Sequence, residues 1–243
     1  MERTIFWNGL KSEDLECYLQ PIYDVKKNKV NVAEALLRVR DENGVFYDTE
    51  KLISLAEKMG SAAEVDLWIL EEVCRHMRQL EAIGIERINV NLSAKSYLNE
   101  EFSKKVKEIM QKYQVQIHQI WFELTETAHV EDQDALGKLI VKLTNKGFCI
   151  ALDDFGKGTA SLVRLLQYPF RCIKFDKELV WAMKDNEMTQ YMLEMFIHFA
   201  KHFHMCVTAE GVEDAEMARK LIEMDCDFLQ GYLISKPIPI DEF

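Results

Sequence analysis

The chain has 243 residues, a hydrophobic fraction of 48% and a formal net charge of -11. This length suits one large domain, because single α/β barrels commonly run to about 250 residues. Ten glycines and four prolines are too few for a disordered or collagen-like chain. So acidic a chain disfavours non-specific binding to a nucleic-acid polymer, although bound cations can still bring a nucleotide to a carboxylate cluster.

The six cysteines form no C-x-x-C pair, and most lie inside apolar runs. This pattern predicts buried free thiols in a reducing compartment. The N-terminal stretch MERTIFWNGLKSEDLE has no signal-peptide pattern. No apolar run reaches the roughly 18 residues that are needed to cross a membrane. These features together predict a cytoplasmic domain that is not attached to a membrane.

Short β-rich runs alternate with longer helical patterns along the chain. Eight strands are predicted, at Glu16–Tyr23, Val30–Arg38, Arg87–Leu92, Ile120–Leu124, Cys149–Asp153, Cys172–Phe175, Cys206–Ala209 and Phe228–Gln230. Helices are predicted at Asp48–Met59, Ala62–Ile83, Glu100–Tyr113, Asp132–Lys146, Ala160–Leu166, Asn186–His204 and Asp214–Met224. Such alternation indicates parallel strands with crossover helices, and eight strands of this kind favour a closed barrel.

The first two strands depart from this pattern, because only DVKKNK, Asp24–Lys29, separates them. A parallel crossover needs about a dozen residues or more, so this pair should form an antiparallel hairpin. The sequence therefore predicts an α/β fold, a TIM-type (β/α)8 barrel variant with an antiparallel first strand. It should form a single domain over residues 1–243, with residues 1–14 as an N-terminal extension.

Strong polar residues interrupt or follow the apolar runs of the second to eighth strands. They are Glu34, Asn91, Glu123, Asp153 with Asp154, Lys174, Glu210 and Gln230. The carboxyl ends of barrel strands meet at one mouth, where active sites of this architecture lie. Carboxylates that close would raise one another's pKa values unless bound cations neutralise them. Because the donors are oxygens, with no Cys or His among them, the pattern favours Mg²⁺ or Mn²⁺ over structural zinc.

The adjacent pair Asp153 and Asp154 could let one carboxylate bridge two cations while the other serves one. Two such cations form a known clamp for displacement at phosphorus, and Lys174 could orient the water or stabilise transition-state charge. Any single member could instead be a helix N-cap or a surface group. Repetition of the same placement over seven strands favours a shared catalytic site.

Two further features have alternative interpretations. His198, His202 and His204 lie near a predicted helix end, where packing or a helix C-terminal position is favoured over a metal site. Arg38 lies four residues after Glu34, on the same face of a strand, and could reach a substrate phosphate. A surface ion pair is the alternative for Arg38.

The polar blocks occur in an order that resembles the EAL domain family of cyclic di-GMP phosphodiesterases. The blocks are QPI at Gln20, EALLR from Glu34, NVNLSA around Asn91, FELTET from Glu123, LDDFGKG around Asp153, IKFD around Lys174, AEGVE around Glu210 and QGYLISKP from Gln230. They span nearly the whole chain. No single tripeptide is specific, but the ordered set is.

The resemblance implies hydrolysis of one phosphodiester bond of cyclic di-GMP to linear 5′-pGpG, with two Mg²⁺ or Mn²⁺ ions. Glu34, Asn91, Glu123 and Asp153 would hold one cation, and Asp153, Asp154 and Glu210 the second. Lys174 and Gln230 would position the water, beside Glu34 and Glu210. Gln20, Leu37 and Arg38 would face the substrate, with a polar residue at a strand edge as the alternative for Gln20. Glu126 would brace the loop DDFGKGTASL, with Glu213 as a further support.

The resemblance also implies a homodimer and, in a parent protein, fused sensory or GGDEF domains. Two departures occur in the loop after the paired aspartates, where the family more often has Thr in place of Lys157 and an aromatic residue in place of Thr159. The alternative function is a catalytically weak or inactive cyclic di-GMP receptor or interaction module. A purely structural or partner-binding barrel is a third possibility.

Overall fold

The computed structural model describes residues 14–40, 44–93, 95–96, 101–125, 133–157 and 165–243, with only the backbone for 125 and 133–135. Apart from Asp14, the predicted N-terminal extension lies outside these residues. Most of the predicted helix Ala160–Leu166 lies outside them too, as does Glu126.

Nine strands form one sheet in the described part of the chain. They are β1 (Leu15–Asp24), β2 (Lys29–Val39), β3 (Arg87–Asn91), β4 (Ile120–Thr125), β5 (Cys149–Phe155), β6 (Cys172–Phe175), β7 (Cys206–Ala209), β8 (Phe228–Gln230) and β9 (Ile238–Pro239). The first eight agree with the predicted strands to within a few residues at each end. The short β9, which pairs with β1 at Tyr18 and Leu19, was not predicted.

The sheet closes into a barrel through its first strand. Strands β2 to β8 follow one another as parallel neighbours, while β1 pairs antiparallel with both β2 and β8. The hairpin register runs from Leu15 opposite Val39 to Asp24 opposite Lys29. Asn28 takes a left-handed conformation in the turn, with φ of 54°, as short polar residues can at tight turns. The prediction of a TIM-type barrel with an antiparallel first strand is confirmed.

Helices cover the outside of the barrel. They are α1 (Thr49–Met59), α2 (Ala62–Ala82), α3 (Phe102–Tyr113), α4 (Gln133–Thr144), α5 (Lys177–Ala182), α6 (Glu187–His202) and α7 (Ala215–Glu223). Side chains of Asp48, Asp176, Asn186 and Asp214 accept hydrogen bonds from backbone N–H groups of the first turns of α1, α5, α6 and α7. Helix α5 was not predicted, because six residues are too few to establish a helical period.

The two faces of the strands have different chemistry. On β3, the side chains of Ile88 and Val90 are fully buried in the apolar core. Asn89 and Asn91 alternate with them and lie in register with Trp121 and Glu123 of β4. Since successive side chains of a strand point to opposite faces, one face packs in the apolar core and the other carries polar groups. This alternation brings the polar residues of different strands together.

The six cysteines and the three clustered histidines largely agree with the predictions for their pairing and position, but differ from them in burial. The six cysteines are free, although Cys149 and Cys206 are only half-buried. His198, His202 and His204, near the end of α6, are exposed. Their exposure agrees with a helix C-terminal position, and the alternative that they pack in the core is wrong. Within the residues described, no helix has the length and apolar character required to cross a membrane.

Gly231, directly after β8, is tightly enclosed by the backbone of the preceding connection. A Cβ atom at this position would lie 2.2 Å from the carbonyl oxygen and 2.3 Å from the nitrogen of Val212. Because backbone atoms cannot move aside cheaply, Gly231→Ala should lower the free energy of unfolding by about 2–3 kcal/mol. Urea denaturation measures this loss.

Gly84→Ala is the matched control. Gly84 has a φ of 98°, but a Cβ atom added there would have no neighbouring atom within 4 Å. Its loss should therefore be limited to backbone strain of about 1 kcal/mol. Equal losses of unfolding free energy in Gly231→Ala and Gly84→Ala would show that the contact with Val212 does not cause the destabilisation.

Candidate active site

Lys174 of β6 is the centre of a buried cluster of carboxylates. Its side chain is 0% exposed. Its Nζ atom lies 2.6 Å from Glu123 Oε2, 2.7 Å from Glu210 Oε1, 3.1 Å from Glu34 Oε2 and 3.1 Å from Asp153 Oδ1. Strands β2, β4 and β5 and the end of β7 thus each contribute one acid. The structure brings together five of the residues that the sequence singled out.

Side-chain amides hold these carboxylates in place from the neighbouring strands. Asn91 Nδ2 donates to Glu34 Oε1 at 2.8 Å, and Gln230 Nε2 donates to Glu34 Oε2 at 2.7 Å. The same Gln230 amide also donates to Gln20 Oε1 at 3.1 Å, and Gln20 Nε2 donates to the carbonyl of Ser235 at 3.3 Å. Gln20, Asn91 and Gln230 therefore lie at the same site as the acids.

Glu34 and Glu123 share one ammonium group but differ in their pKa values. Burial alone would raise the pKa of Glu34, but the charge of Lys174 and the donated bonds from Gln230 and Asn91 bring it below its usual range. Burial and the adjacent charge of Glu34 hold the pKa of Glu123 well above its usual range, despite the contact with Lys174. The difference follows from the charge of Glu34 beside Glu123 and from the third donor that Glu34 accepts.

The cluster has more negative charge than its own cation can balance. Burial raises the pKa of Glu210 to about 8 and also raises the pKa of Asp153. Asp153 Oδ1 lies 3.1 Å from the ammonium yet has no partner at hydrogen-bonding geometry, and neither has the buried Gln230 Oε1. Buried oxygen donors without partners, beside carboxylates in excess, suit a hard divalent cation. The residues present therefore fit the Mg²⁺ or Mn²⁺ site that the sequence predicts.

Asp154 faces a second group of acids, next to the Lys174 cluster. Asp154, Asp176 and Glu210 each offer a carboxylate oxygen, and these oxygens lie within 4.8 Å of one another. Asp154 has a φ of 58°, which turns its backbone away from the path of β5. Asp153 therefore contacts Lys174 while Asp154 contacts Lys157. The adjacent aspartates lie on two sides of the site, with Glu210 in both groups.

Two cavities open onto this site and share Glu34, Leu36 and Asp153 in their walls. The larger has a volume of about 1110 Å³ and is lined by residues of β2, α1 and α2 and by three lysines, Lys58, Lys95 and Lys157. The smaller, of about 310 Å³, contains the aromatic side chains of Trp181 and Tyr232. An elongated ligand could therefore extend to both sides of the carboxylates.

The remaining predicted residues lie at different depths. Arg38 is half-buried, lines the larger cavity and donates to the carbonyl oxygen of Leu37 at 2.8 Å. Among the described residues no carboxylate pairs with Arg38, so the alternative of a surface ion pair is not what the structure shows for it. Leu37 lines the same cavity, but its side chain is buried in the core. Glu213 is exposed at the edge of the smaller cavity. Glu126 lies outside the described residues.

Three supporting residues were missed by the sequence analysis. Asn89, buried on β3, donates to Glu123 Oε1 at 2.7 Å. Asp176 caps α5 and joins the group around Asp154. Asp66 of α2 accepts from the backbone N–H of Ser93 at 2.9 Å, and burial raises its pKa to about 7. The polar residue at the end of IKFD and the first asparagine of NVN were visible signals, whereas Asp66 lies far from the polar blocks in sequence.

Comparison with known proteins places this geometry in a family. The family model described as "EAL domain" matches residues 5–237. A Pseudomonas aeruginosa protein named cyclic di-GMP phosphodiesterase NbdA is 30% identical over 234 residues, which cover 96% of this chain and 30% of the relative. The signaling protein YkoW of Bacillus subtilis is 28% identical over 243 residues, which cover 100% of this chain and 30% of the relative.

A solved structure described as "PaMucR Phosphodiesterase, c-di-GMP complex" has a TM-score of 0.84 and 26% identity, with 94% of each chain covered. The chain spans about 30% of the length of the two curated relatives. The family model covers nearly the whole sequence, and the fold agrees with that of a solved relative. The chain belongs to the EAL domain family.

Proposed function

We propose that this chain hydrolyses one phosphodiester bond of cyclic di-GMP and releases linear 5′-pGpG, with the help of Mg²⁺ or Mn²⁺. The observation that carries the proposal is the convergence of Glu34, Glu123, Asp153 and Glu210 on Lys174 at the mouth of the barrel. Relatives named as cyclic di-GMP phosphodiesterases support the substrate.

The donor set divides into an inner and an outer cation position. The inner position has Glu34, Asn91, Glu123 and Asp153 as its ligands, and the outer has Asp153, Asp154 and Glu210. Divalent cations bound there would supply Lewis acidity at the reacting phosphate and lower the pKa of a water molecule. We expect the two positions to share Asp153, because it contacts Lys174 beside the inner acids and precedes Asp154 directly in the chain.

Protein side chains have their own tasks in this reaction. The Lys174 ammonium, fixed by four carboxylates, can orient a water molecule and stabilise negative charge as it develops on the phosphate oxygens. Gln230 has its Oε1 atom free to accept a hydrogen bond from that water. Burial raises the pKa of Glu210 to about 8 in the absence of a cation, and a divalent cation at the outer position would hold this group as the carboxylate. These groups are pre-positioned by the strands that carry them.

The shape of the two cavities supports an extended dinucleotide. One nucleotide would occupy the larger cavity, where Arg38 can approach a phosphate, and the other would lie toward Gln20 and the smaller cavity. The six free cysteines favour a reducing compartment, so the proposed setting is the cytoplasm. A homodimer, and a parent protein with fused sensory or GGDEF domains, are further proposals.

Incubation of the purified chain with cyclic di-GMP tests the function. With Mg²⁺ or Mn²⁺ present, chromatography should show linear 5′-pGpG accumulating, and a chelator should abolish the product. Lys112→Met, which alters an exposed ion pair with Glu71, should retain full turnover. Tight binding of cyclic di-GMP without turnover at every cation concentration would contradict the hydrolase and favour the receptor. If the chain neither binds nor hydrolyses cyclic di-GMP, a purely structural barrel is the remaining function.

A further inference from the structure

Lys157 is a second positively charged side chain at the site, in addition to Lys174. Its Nζ atom lies 2.7 Å from Asp154 Oδ1 and 3.1 Å from Asp176 Oδ2. Both carboxylates belong to the group of three acids that could hold a metal ion, and the third is Glu210. The ammonium group of Lys157 therefore bridges Asp154, a proposed ligand of the outer cation position, and its neighbour Asp176.

The backbone fixes Lys157 in this position. Its N–H donates to the carbonyl oxygen of Asp154 at 3.1 Å, which closes a turn directly after β5. Gly156 provides the φ of 112° that this turn requires, with the side chain of Leu179 against it. This turn already holds Lys157 close to Asp154. Forming the ion pair between their side chains therefore costs little additional conformational entropy.

The two carboxylates differ in how much they depend on Lys157. Asp154 is partly exposed, so water can replace the ammonium there. Asp176 is 2% exposed, and its other oxygen already accepts the N–H of Glu178 at 2.9 Å. A buried carboxylate that loses its counterion is strongly destabilised. Lys157 is thus anchored at Asp176 and presents its charge to Asp154.

We propose that Lys157 is a built-in counterion of Asp154 and Asp176 that competes with the divalent cation for the outer position and weakens its binding there. The inner position is unaffected, because the contacts of Lys157 are with Asp154 and Asp176 rather than with the inner ligands. Lys174 contacts acids of both positions, whereas Lys157 adds its charge at the outer position, which therefore forms the weaker class of site. The inference rests on the proposed function for the assignment of two cation positions.

Titration of the metal-free protein with Mn²⁺ tests this inference without substrate. Calorimetry, together with electron paramagnetic resonance of the unbound Mn²⁺, resolves tight and weak classes of site. Lys157→Met removes the charge and keeps a side chain of similar length. In this variant the affinity of the weak class for Mn²⁺ should rise roughly ten-fold, while the affinity of the tight class should stay unchanged. Lys157→Arg should retain a weak outer class.

Lys112→Met is the matched control, since it removes the same charge from an exposed pair with Glu71, and neither of these residues lines the two cavities of the site. If it tightens Mn²⁺ binding as much as Lys157→Met does, the effect is one of net charge and the proposal is wrong. An unchanged weak class in Lys157→Met, or no second class in any variant, also overturns it. Circular dichroism verifies folding, and Lys157→Thr provides a second neutral variant.

The proposal and the proposed function fail in different ways. Absence of hydrolysis with two normal Mn²⁺ classes would remove the enzymatic activity but leave the role of Lys157 intact. Hydrolysis with an outer class that ignores Lys157 would do the reverse. The two experiments therefore separate the chemistry of the site from the control of its cation content.

Discussion

Lys174→Met should lower the free energy of unfolding by about 3–5 kcal/mol in the presence of a chelator, and by much less in excess Mn²⁺. The ammonium is completely buried and contacts four carboxylates. Its removal leaves buried acids without a counterion, which is among the most destabilising changes that a core can undergo. A divalent cation that binds the same oxygens would restore the missing charge.

Urea denaturation with a chelator and with excess Mn²⁺ measures this difference. Lys184→Met is a suitable control, because it removes an exposed ion pair with Asp214 and should cost at most about 1 kcal/mol in either condition. Turnover of cyclic di-GMP should fall more than its binding affinity. An equal loss of stability with and without Mn²⁺ would contradict the view that cations bind at this cluster.

The sequence predicted the barrel because its signals were local and repeated. Apolar runs of strand length alternated with helical patterns, and the loop Asp24–Lys29 was too short for anything but a hairpin. The polar residues at strand ends could be assigned to one mouth by topology alone. Helix α5 escaped detection because six residues do not establish a period, although Asp176 before Lys177 is an N-cap signal.

The missed parts of the site depend on contacts between distant segments. Asp66 lies on α2 and reaches the backbone of Ser93 after β3, a relation that no local pattern contains. Lys157 was recognised as a departure from the family's residue at its position, but its two carboxylate partners emerge only from the turn after β5 and the start of α5. Side-chain partnership across elements is set by the tertiary fold, so the sequence identified the acids but not their distribution between two cations.

Asp153→Asn and Glu34→Gln should both abolish most hydrolysis yet change stability in opposite directions. Either substitution removes a proposed cation ligand and should reduce kcat/KM by roughly 10³-fold or more, which is about 4 kcal/mol of transition-state stabilisation. Asp153→Asn should weaken both classes of Mn²⁺ site, since Asp153 is a proposed ligand of both positions. Glu34→Gln should weaken the inner class alone.

In a chelator the two variants differ because the two acids have different partners. Glu34 accepts hydrogen bonds from Asn91, Lys174 and Gln230, so Glu34→Gln should cost about 1–3 kcal/mol. Asp153 is crowded by other acids, its pKa is raised by burial, and its Oδ1 atom lacks a hydrogen-bonding partner. A neutral amide relieves that repulsion above the ordinary pKa of an aspartate, so Asp153→Asn should unfold at a higher urea concentration at pH 7. Destabilisation of both variants to the same extent would show that Asp153 is held as firmly as Glu34. If the two variants change the free energy of unfolding with opposite signs, the charge of Asp153 lowers the stability of the fold and serves cation binding.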